Sequence, residues 1–112
     1  MAEALYKGYR DVIENLGWNI YEYENNVELE IYTDAGEDFI FSASNENFFQ
    51  DIWDYAFEYF DPDEHVEMWI EAKRNGRRNV PSIRKLVEDA DWIEKSLEKL
   101  ADALNDVRKQ LQ

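Results

Sequence analysis

The chain has 112 residues, no cysteine and a formal net charge of −14 at pH 7. Lack of cysteine excludes a disulfide scaffold, a cysteine-ligated metal and a thiol nucleophile, and no apolar run approaches the roughly 20 residues of a transmembrane helix. The 4 Trp, 7 Tyr and 6 Phe supply large side chains for a core. We therefore expect one folded domain over residues 1–112, with a cytoplasmic location as the default.

The first predicted element is a helix over residues 2–16, because Leu5, Tyr9, Val12, Ile13 and Leu16 recur at helical spacing. Gly17 stands where a C-terminal cap belongs. A three-stranded antiparallel meander is predicted next, over residues 18–43. Its strands are expected near residues 18–24, 27–33 and 37–43.

Two turns fix the pairing of these strands independently. The pair Asn25-Asn26 suits a two-residue turn that pairs Ile20 with Ile31, and the loop 34–36 then pairs Ile31 with Phe39. Both turns predict the same buried face, formed by Ile20, Val27, Leu29, Ile31, Phe39, Phe41 and Ala43. This agreement supports the sheet.

The opposite face of the sheet is predicted to carry tyrosines and acids, namely Tyr21, Tyr23, Glu28, Glu30, Tyr32, Asp38 and Ile40. Carboxylates at i and i+2 on a strand lie about 6.5–7 Å apart, close to twice the roughly 3.4 Å rise between phosphates along a DNA strand. This spacing permits phosphate mimicry. Two alternatives are a solvated face and a face covered by a helix.

A second helix is predicted over residues 45–60, with its cap at Ser44 or Asn45. Its expected buried face is Phe49, Ile52, Trp53, Ala56 and Phe60. Asp51, Asp54 and Glu58 share another face at i, i+3 and i+7, where like charges repel. Such a row indicates either an outside partner or simple solvation.

A third helix is predicted over residues 62–75. Asp61 suits the N-cap, Pro62 the first helical position and Glu64 the third, and Gly76 ends the helix. Its expected apolar side includes Val66, Trp69 and Ile70, whereas its acidic side is Glu64, Glu67 and Glu71.

His65 is the single histidine, and we interpret it as a residue on the surface of this helix. No second histidine, metal-binding motif or calcium loop accompanies it, so we expect neither a metal nor a cofactor. No phosphate-binding loop, nucleophile elbow or separated carboxylate pair stands out. The sequence therefore does not predict an enzyme.

The last predicted element is a long helix over residues 82–110, about 43 Å in length at 1.5 Å per residue. Its apolar residues alternate steps of three and four: Ile83, Leu86, Ala90, Ile93, Leu97, Leu100, Leu104, Val107 and Leu111. Packing against the other helices is favoured because Val87, Ala101 and Ala103 widen the stripe. A coiled-coil homodimer through this helix is the alternative, and Asp89 to Trp92 could divide it.

Charge is distributed unevenly along the chain. From Asp11 to Glu71 there is no Lys or Arg but 18 acidic residues, a pattern that predicts a surface for a basic partner. The segment 73–85 instead holds six basic residues and no acid. This basic segment either pairs with the acids of residues 11–71, here called the acidic body, or contacts a phosphate or an acidic partner. A second copy of the chain is one such acidic partner.

The segments DEHVEMWIEAKRNG and VPSIRKLVEDADWIEKSLEKLADAL, between residues 61 and 104, resemble small acidic proteins of phages and conjugative elements. Such proteins include antirestriction and anti-CRISPR inhibitors, several of which occupy a nucleic-acid-binding surface. The resemblance implies an inhibitor and assigns no functional residue.

These patterns predict an α+β fold: an N-terminal helix, a three-stranded antiparallel meander, and two or three helices including a long C-terminal one. The predicted function is a DNA mimic or an RNA mimic without catalysis that occludes a basic, nucleic-acid-binding protein such as a defence nuclease, without contacting nucleic acid or membrane itself. The alternative is a non-enzymatic assembly protein that dimerises through its C-terminal helix and binds a basic protein partner. The predicted contact residues are Glu28, Glu30, Asp38, Asp51, Asp54, Glu58, Glu64, Glu67 and Glu71.

Overall fold

The computed structural model describes the backbone of residues 2–111 and the side chains of residues 9–110. The fold is α+β, with an N-terminal helix, a three-stranded antiparallel sheet and then helices, as predicted. The elements in chain order are α1 (Ala2–Asn15), β1 (Asn19–Glu22), β2 (Asn26–Tyr32), β3 (Asp38–Ser44), α2 (Phe48–Asp54), a π-helical turn (Tyr55–Tyr59), α3 (Pro62–Arg74) and α4 (Ile83–Leu111).

Helix α1 ends close to the predicted position, and Gly17 after it has a φ of +93°. A glycine adopts this left-handed conformation without steric penalty, so it suits the cap. On the helix, Tyr9 and Ile13 are buried and Leu16 is exposed. The side chain of Leu5 lies outside the described residues.

The strands are ordered β1-β2-β3, and the pairing of β2 with β3 agrees with the sequence, since Ile31 lies opposite Phe39. The predicted register of the first hairpin is wrong. Ile20 pairs with Leu29 rather than with Ile31. Because side chains alternate with a period of two, this two-residue difference leaves every side chain on its predicted face.

The cause of the register difference is a turn one residue earlier than predicted. The Tyr23 N–H donates to the Asn26 carbonyl at 2.9 Å, so Glu24 and Asn25 form the tip. The side-chain amide of Asn45 donates to the Glu24 carbonyl at 2.9 Å. Asn45 follows the far end of β3, so local turn propensity does not predict this contact.

The core lies on the inner face of the sheet. All seven side chains predicted for this face are buried, and they form one cluster with side chains of α1, α2 and α4. Trp18, just before β1, is 2 % exposed and meets Phe41 edge-to-face at 5.6 Å between ring centroids. Tyr9 stacks on Phe48 at 5.7 Å and joins α1 to α2.

The predicted start of the second helix is wrong. Ser44 belongs to β3, and α2 begins only at Phe48. Ser44 Oγ accepts from the Asn47 N–H at 3.0 Å, while Asp51 Oδ2 accepts from the Ser44 N–H at 2.8 Å. These bonds form a compact turn between strand and helix, and they rotate Phe48 into the core, where it is 2 % exposed.

Helix α3 starts as predicted, with Asp61 at its N-cap accepting from the Asp63 and Glu64 N–H groups. Gly76, with φ of +92°, follows its end. Helix α4 is uninterrupted for 29 residues, so Asp89 to Trp92 does not break it.

The apolar seam of α4 is buried within the chain. Its fully or nearly buried residues are Leu86, Ala90, Ile93, Leu97, Leu100, Ala101 and Leu104. Ile83 at the start of the helix is 61 % exposed, and the side chain of Leu111 lies outside the described residues. The domain core thus occupies the seam that a coiled-coil dimer would require. None of the helices in the described part of the chain has the length and apolar character to cross a membrane.

Candidate functional site

A groove of about 620 Å³ lies between the start of β3, the π-helical turn and α3. Its floor is aromatic and its rim is charged. The residues that line it are Asp38, Phe39, Ile40, Tyr55, Tyr59, Phe60, Asp61, Glu64, His65, Met68, Trp69, Ala72 and Arg77.

The π-helical turn supplies one wall of the groove. The Phe60 N–H donates to the Tyr55 carbonyl at 2.9 Å, a bond spanning five residues. π-Helical turns are rare in proteins, and those that occur are found frequently at functional sites. Here it brings Tyr55 against Phe41, with centroids 4.6 Å apart, and Phe60 against Phe39 at 5.5 Å. The aromatic floor is therefore held rigidly by the core.

Three carboxylates line the groove. Asp38 comes from β3, Asp61 from the cap of α3 and Glu64 from its first turn, and all three are exposed. None of these three forms an ion pair with a described basic side chain. The fold thus places acids from β3 and from the start of α3 around one opening, and described basic side chains do not pair with them.

An arginine of the chain, Arg77, also lines the groove. The Arg77 guanidinium lies over the Trp69 ring, 4.3 Å from its centroid. Cation–π contacts of this geometry are worth about 0.5–1 kcal/mol at exposed sites. The Trp69 Nε1 atom is buried and has no acceptor among the described groups.

The prediction that His65 lies on the helix surface is wrong. It is 8 % exposed, packs against Phe39 and Phe60, and its Nε2 atom is hydrogen-bonded to Oε1 of Glu37. Glu37 is itself 4 % exposed. The helical pattern alone did not show this burial because the partner lies in the loop before β3, far away in sequence.

Behind this pair lies a second buried carboxyl group, that of Asp89 on α4. It accepts from Thr33 Oγ1 at 2.9 Å, and Thr33 Oγ1 in turn accepts from the Glu37 N–H at 3.0 Å. Burial, and then the nearby Glu37, raises the pKa of Asp89, although Thr33 and Lys85 oppose the shift. Oε2 of Glu37 has no partner among the described groups, so a protonated Asp89 would be a suitable donor.

The outward face of the sheet carries a second hydrogen-bonded cluster. The Tyr21 hydroxyl donates to Oε1 of Glu30 at 2.8 Å, and Asn19 donates to the same oxygen at 3.3 Å. The bond from Tyr21 lowers the pKa of Glu30, whereas partial desolvation and then Glu30 itself raise the pKa of Asp38. The two carboxylates are adjacent, and Asp38 connects them to the groove.

The predicted contact residues do not all lie together. Glu30, Asp38 and Glu64 belong to the groove and the adjoining sheet face. Glu30 is 7 % exposed and already hydrogen-bonded, so it acts on a partner mainly through its charge. The face is otherwise open to solvent, since Tyr21, Tyr23 and Tyr32 are 43–55 % exposed.

The other predicted residues differ in availability. Asp51 and Asp54 are half-buried, and both accept hydrogen bonds within the chain. Glu28 is half-buried, and its carboxylate raises the pKa of the nearby Tyr23 hydroxyl. Glu58 and Glu67 are exposed, and Glu71 is exposed with Arg74 at 3.5 Å.

The basic segment makes short-range contacts. Arg74 pairs with Glu71 and Lys85 with Glu88, each three residues away in the chain, and Arg77 covers Trp69. Among the described side chains, no ion pair joins this segment to an acid of the sheet. The basic segment therefore does not neutralise the acids of the sheet.

Sequence reasoning missed Glu37, Tyr55 and Arg77 as members of the site. Glu37 is predicted as the first residue of the third strand, but it lies in the loop before β3. Arg77 lies in a predicted loop, where periodicity carries no information, and Tyr55 turns inward because of the π-helical bond. The described residues include no group of three or more His, Asp or Glu side chains placed to hold a metal ion.

The fold and the groove together define an acidic α+β protein with an aromatic, carboxylate-rimmed groove. No protein-family model, no curated protein and no solved structure matches the chain.

Proposed function

We propose that this protein is an acidic binding protein that covers the nucleic-acid-binding surface of a basic partner. It acts by occlusion and performs no chemistry. The partner takes the protein's carboxylates in place of phosphates. The resemblance noted for residues 61–104 favours a phage or mobile-element inhibitor of the antirestriction or anti-CRISPR type, acting in the cytoplasm on a defence nuclease.

The observation that carries the proposal is the unneutralised acidic body. Of the 18 acids between Asp11 and Glu71, ion pairs within 4.0 Å of a described basic side chain engage only Glu14, Glu22, Glu37 and Glu71. Self-repulsion of this size lowers stability and exceeds what solubility needs, since a net charge of about 2–8 suffices for a small domain. A basic partner would remove that repulsion on binding.

The arrangement of acids suits a backbone mimic better than a catalyst. Carboxylates from β3 and α3 face solvent or the groove, whereas the His65–Glu37 pair is buried and continues into Asp89 and Thr33. That continuation indicates a structural role for the histidine. A distributed charge surface should lose affinity in steps as acids are removed, and an active site should lose function all at once.

The first experiment is an affinity capture from host lysate with the tagged protein, eluted separately with a salt series and with excess duplex DNA. Charge mimicry predicts capture of a nucleic-acid-binding protein that DNA releases and that salt releases progressively. A captured protein that ignores DNA would contradict mimicry and favour an assembly role.

The identified partner then allows a direct test of the surface. The double variant Glu64→Lys with Glu67→Lys should weaken binding and flatten its salt dependence. A matched control reverses two exposed acids of α4, Asp102→Lys with Asp106→Lys, and keeps the same net charge. Equal losses in both pairs would show attraction by net charge without a defined face.

A further inference from the structure

We propose that the carboxylates lining the groove receive an arginine side chain of the partner protein. This inference rests on the proposed function and names the partner chemistry that the groove recognises. Its basis is that three carboxylates line a groove in which one aromatic ring already holds an arginine of the chain itself.

The Arg77–Trp69 contact shows which chemistry the groove accepts. Arg77 reaches back from the loop after α3 and lays its guanidinium 4.3 Å from the centroid of the Trp69 ring. Arginine stacks on aromatic faces because its guanidinium is planar and weakly hydrated. The Trp69 ring is therefore a guanidinium site filled by the chain itself.

The rest of the groove lining has the same kinds of groups. Tyr55, Tyr59 and Phe60 supply aromatic rings, and Asp38, Asp61 and Glu64 supply carboxylates. Three carboxylates and one guanidinium therefore line the groove, so it favours a further cation. A guanidinium can bind a carboxylate with two parallel hydrogen bonds while stacking on a ring, which an ammonium group cannot do.

The size of the groove agrees with such an occupant. At about 620 Å³ it falls within the 300–1,000 Å³ typical of ligand pockets. It can hold an arginine side chain together with a short stretch of its backbone, beside Arg77. Tyr59 is 67 % exposed and Met68 is 59 % exposed, so the opening is reachable from solvent.

Asp38 gives the site a link to pH. Partial desolvation and Glu30 raise its pKa, and a bound guanidinium would favour its charged form. Arginine binding should therefore release protons when the pH is low enough to protonate Asp38, and binding should weaken as the pH falls.

The test uses the intact protein and the peptide acetyl-Gly-Arg-Gly-amide as the probe. Methyl resonances of Ile40 and Met68 report on the groove, and those of Val87 and Val107 report on distant positions of α4. We expect saturable shifts of the groove methyls alone. The isosteric neutral peptide with citrulline in place of arginine should bind more weakly by about fivefold or more.

Two matched variants separate the groove from general charge. Asp61→Asn with Glu64→Gln removes two rim charges and keeps a capping residue. Asp63→Asn with Glu67→Gln removes two exposed charges of the same helix that do not line the groove. The first pair should weaken peptide binding by about fivefold, and the second should change it less than about twofold. Circular dichroism checks that both variants fold.

Each outcome decides the proposal. Absent groove shifts, equal binding of the citrulline peptide, or equal losses in both variants would overturn the arginine site. The acidic-surface proposal is tested separately, since it requires only that charge reversal weakens the full partner. The acidic-surface proposal survives if the groove variants leave the affinity for the full partner unchanged but the charge reversals weaken it. It fails if neither set of variants changes that affinity.

Discussion

The imidazole of His65 on α3 is hydrogen-bonded through Nε2 to the buried carboxyl group of Glu37, just before β3. This bond joins the helix that forms one side of the groove to the strand that forms the other. Asp89 and Thr33 extend the contact to α4. The position of the groove walls therefore depends on a small polar cluster inside an otherwise apolar core.

Replacing His65 with phenylalanine should destabilise the protein by about 3 kcal/mol, because it leaves the buried carboxylate of Glu37 without its partner. Urea denaturation measures the change in the free energy of unfolding. The double variant His65→Phe with Glu37→Leu should recover most of the loss, since an apolar pair of similar volume replaces the polar one. Simple additivity of the two single effects would contradict the coupling.

Replacing Asp89 with asparagine should stabilise the protein at neutral pH by about 1 kcal/mol. Folding raises the pKa of Asp89, so the native state binds the proton more readily than the unfolded chain does. The native carboxyl group is therefore favourable below the unfolded pKa of about 3.9 and becomes unfavourable as the pH rises through its folded value. Asparagine is neutral throughout and retains an acceptor for Thr33.

Thermal unfolding between pH 3.5 and pH 7.5 measures the difference in stability between Asp89→Asn and the parent protein. This difference should be largest at pH 7.5 and vanish at pH 3.5. Asp102→Asn on the exposed side of the same helix is the control and should change little. A loss of stability at neutral pH in Asp89→Asn would show that the charged carboxylate is well solvated or paired. That result would contradict burial as the cause of the raised pKa of Asp89.

Replacing Tyr21 with phenylalanine should raise the pKa of Glu30, because the bond from the Tyr21 hydroxyl is the main cause of its lowering. A carboxylate whose pKa is lowered by folding stabilises the fold at pH values above its pKa in the unfolded chain. This contribution is lost as the pH falls through the pKa of the folded state. The variant should therefore lose less stability in acid than the parent protein. Carbon-detected NMR titration of Glu30 measures the pKa directly.

Tyr23→Phe is the matched control for this measurement, since Tyr23 interacts with Glu28 on the same face. It should leave the titration of Glu30 unchanged. An equal shift in both variants would indicate a general change of the sheet surface in place of the specific bond.

Replacing Leu97 with alanine should destabilise the protein by about 3 kcal/mol, because the side chain is fully buried in the domain core. Chemical denaturation gives the free energy, and light scattering gives the mass before unfolding. Val87→Ala, at a position 53 % exposed on the same helix, should cost little. A well-folded Leu97→Asp monomer obtained from a larger parent species would instead place Leu97 at an interface between copies.

Some of the fold could be predicted because the signals are local. The alternation of β2 and β3 fixed the inner face from Val27 to Ala43, and the cap at Asp61 fixed the start of α3. The first hairpin shifted by two residues because Asn45 bonds to its turn, a contact that no local pattern contains. The start of α2 moved to Phe48 for a similar reason, since the Ser44 and Asp51 bonds form a compact turn.

The candidate site was predictable only in part. The acids of α3 and of the sheet face follow from periodicity, and three of them, Glu30, Asp38 and Glu64, do meet at or beside the groove. The aromatic wall depends on the five-residue bond from Phe60 to Tyr55, and the Arg77–Trp69 contact depends on a loop path. Neither leaves a signal in the order of the residues.

The sequence by itself determined the charge, the element order and the inner face of the sheet, because these depend on composition and on spacing within a few residues. Only the tertiary structure decided that the seam of α4 is filled by the chain's own core, that His65 is buried against Glu37, and that acids from β3 and α3 surround one aromatic groove. Each of these depends on which distant segments come into contact, and that is set by how the whole chain buries its apolar surface.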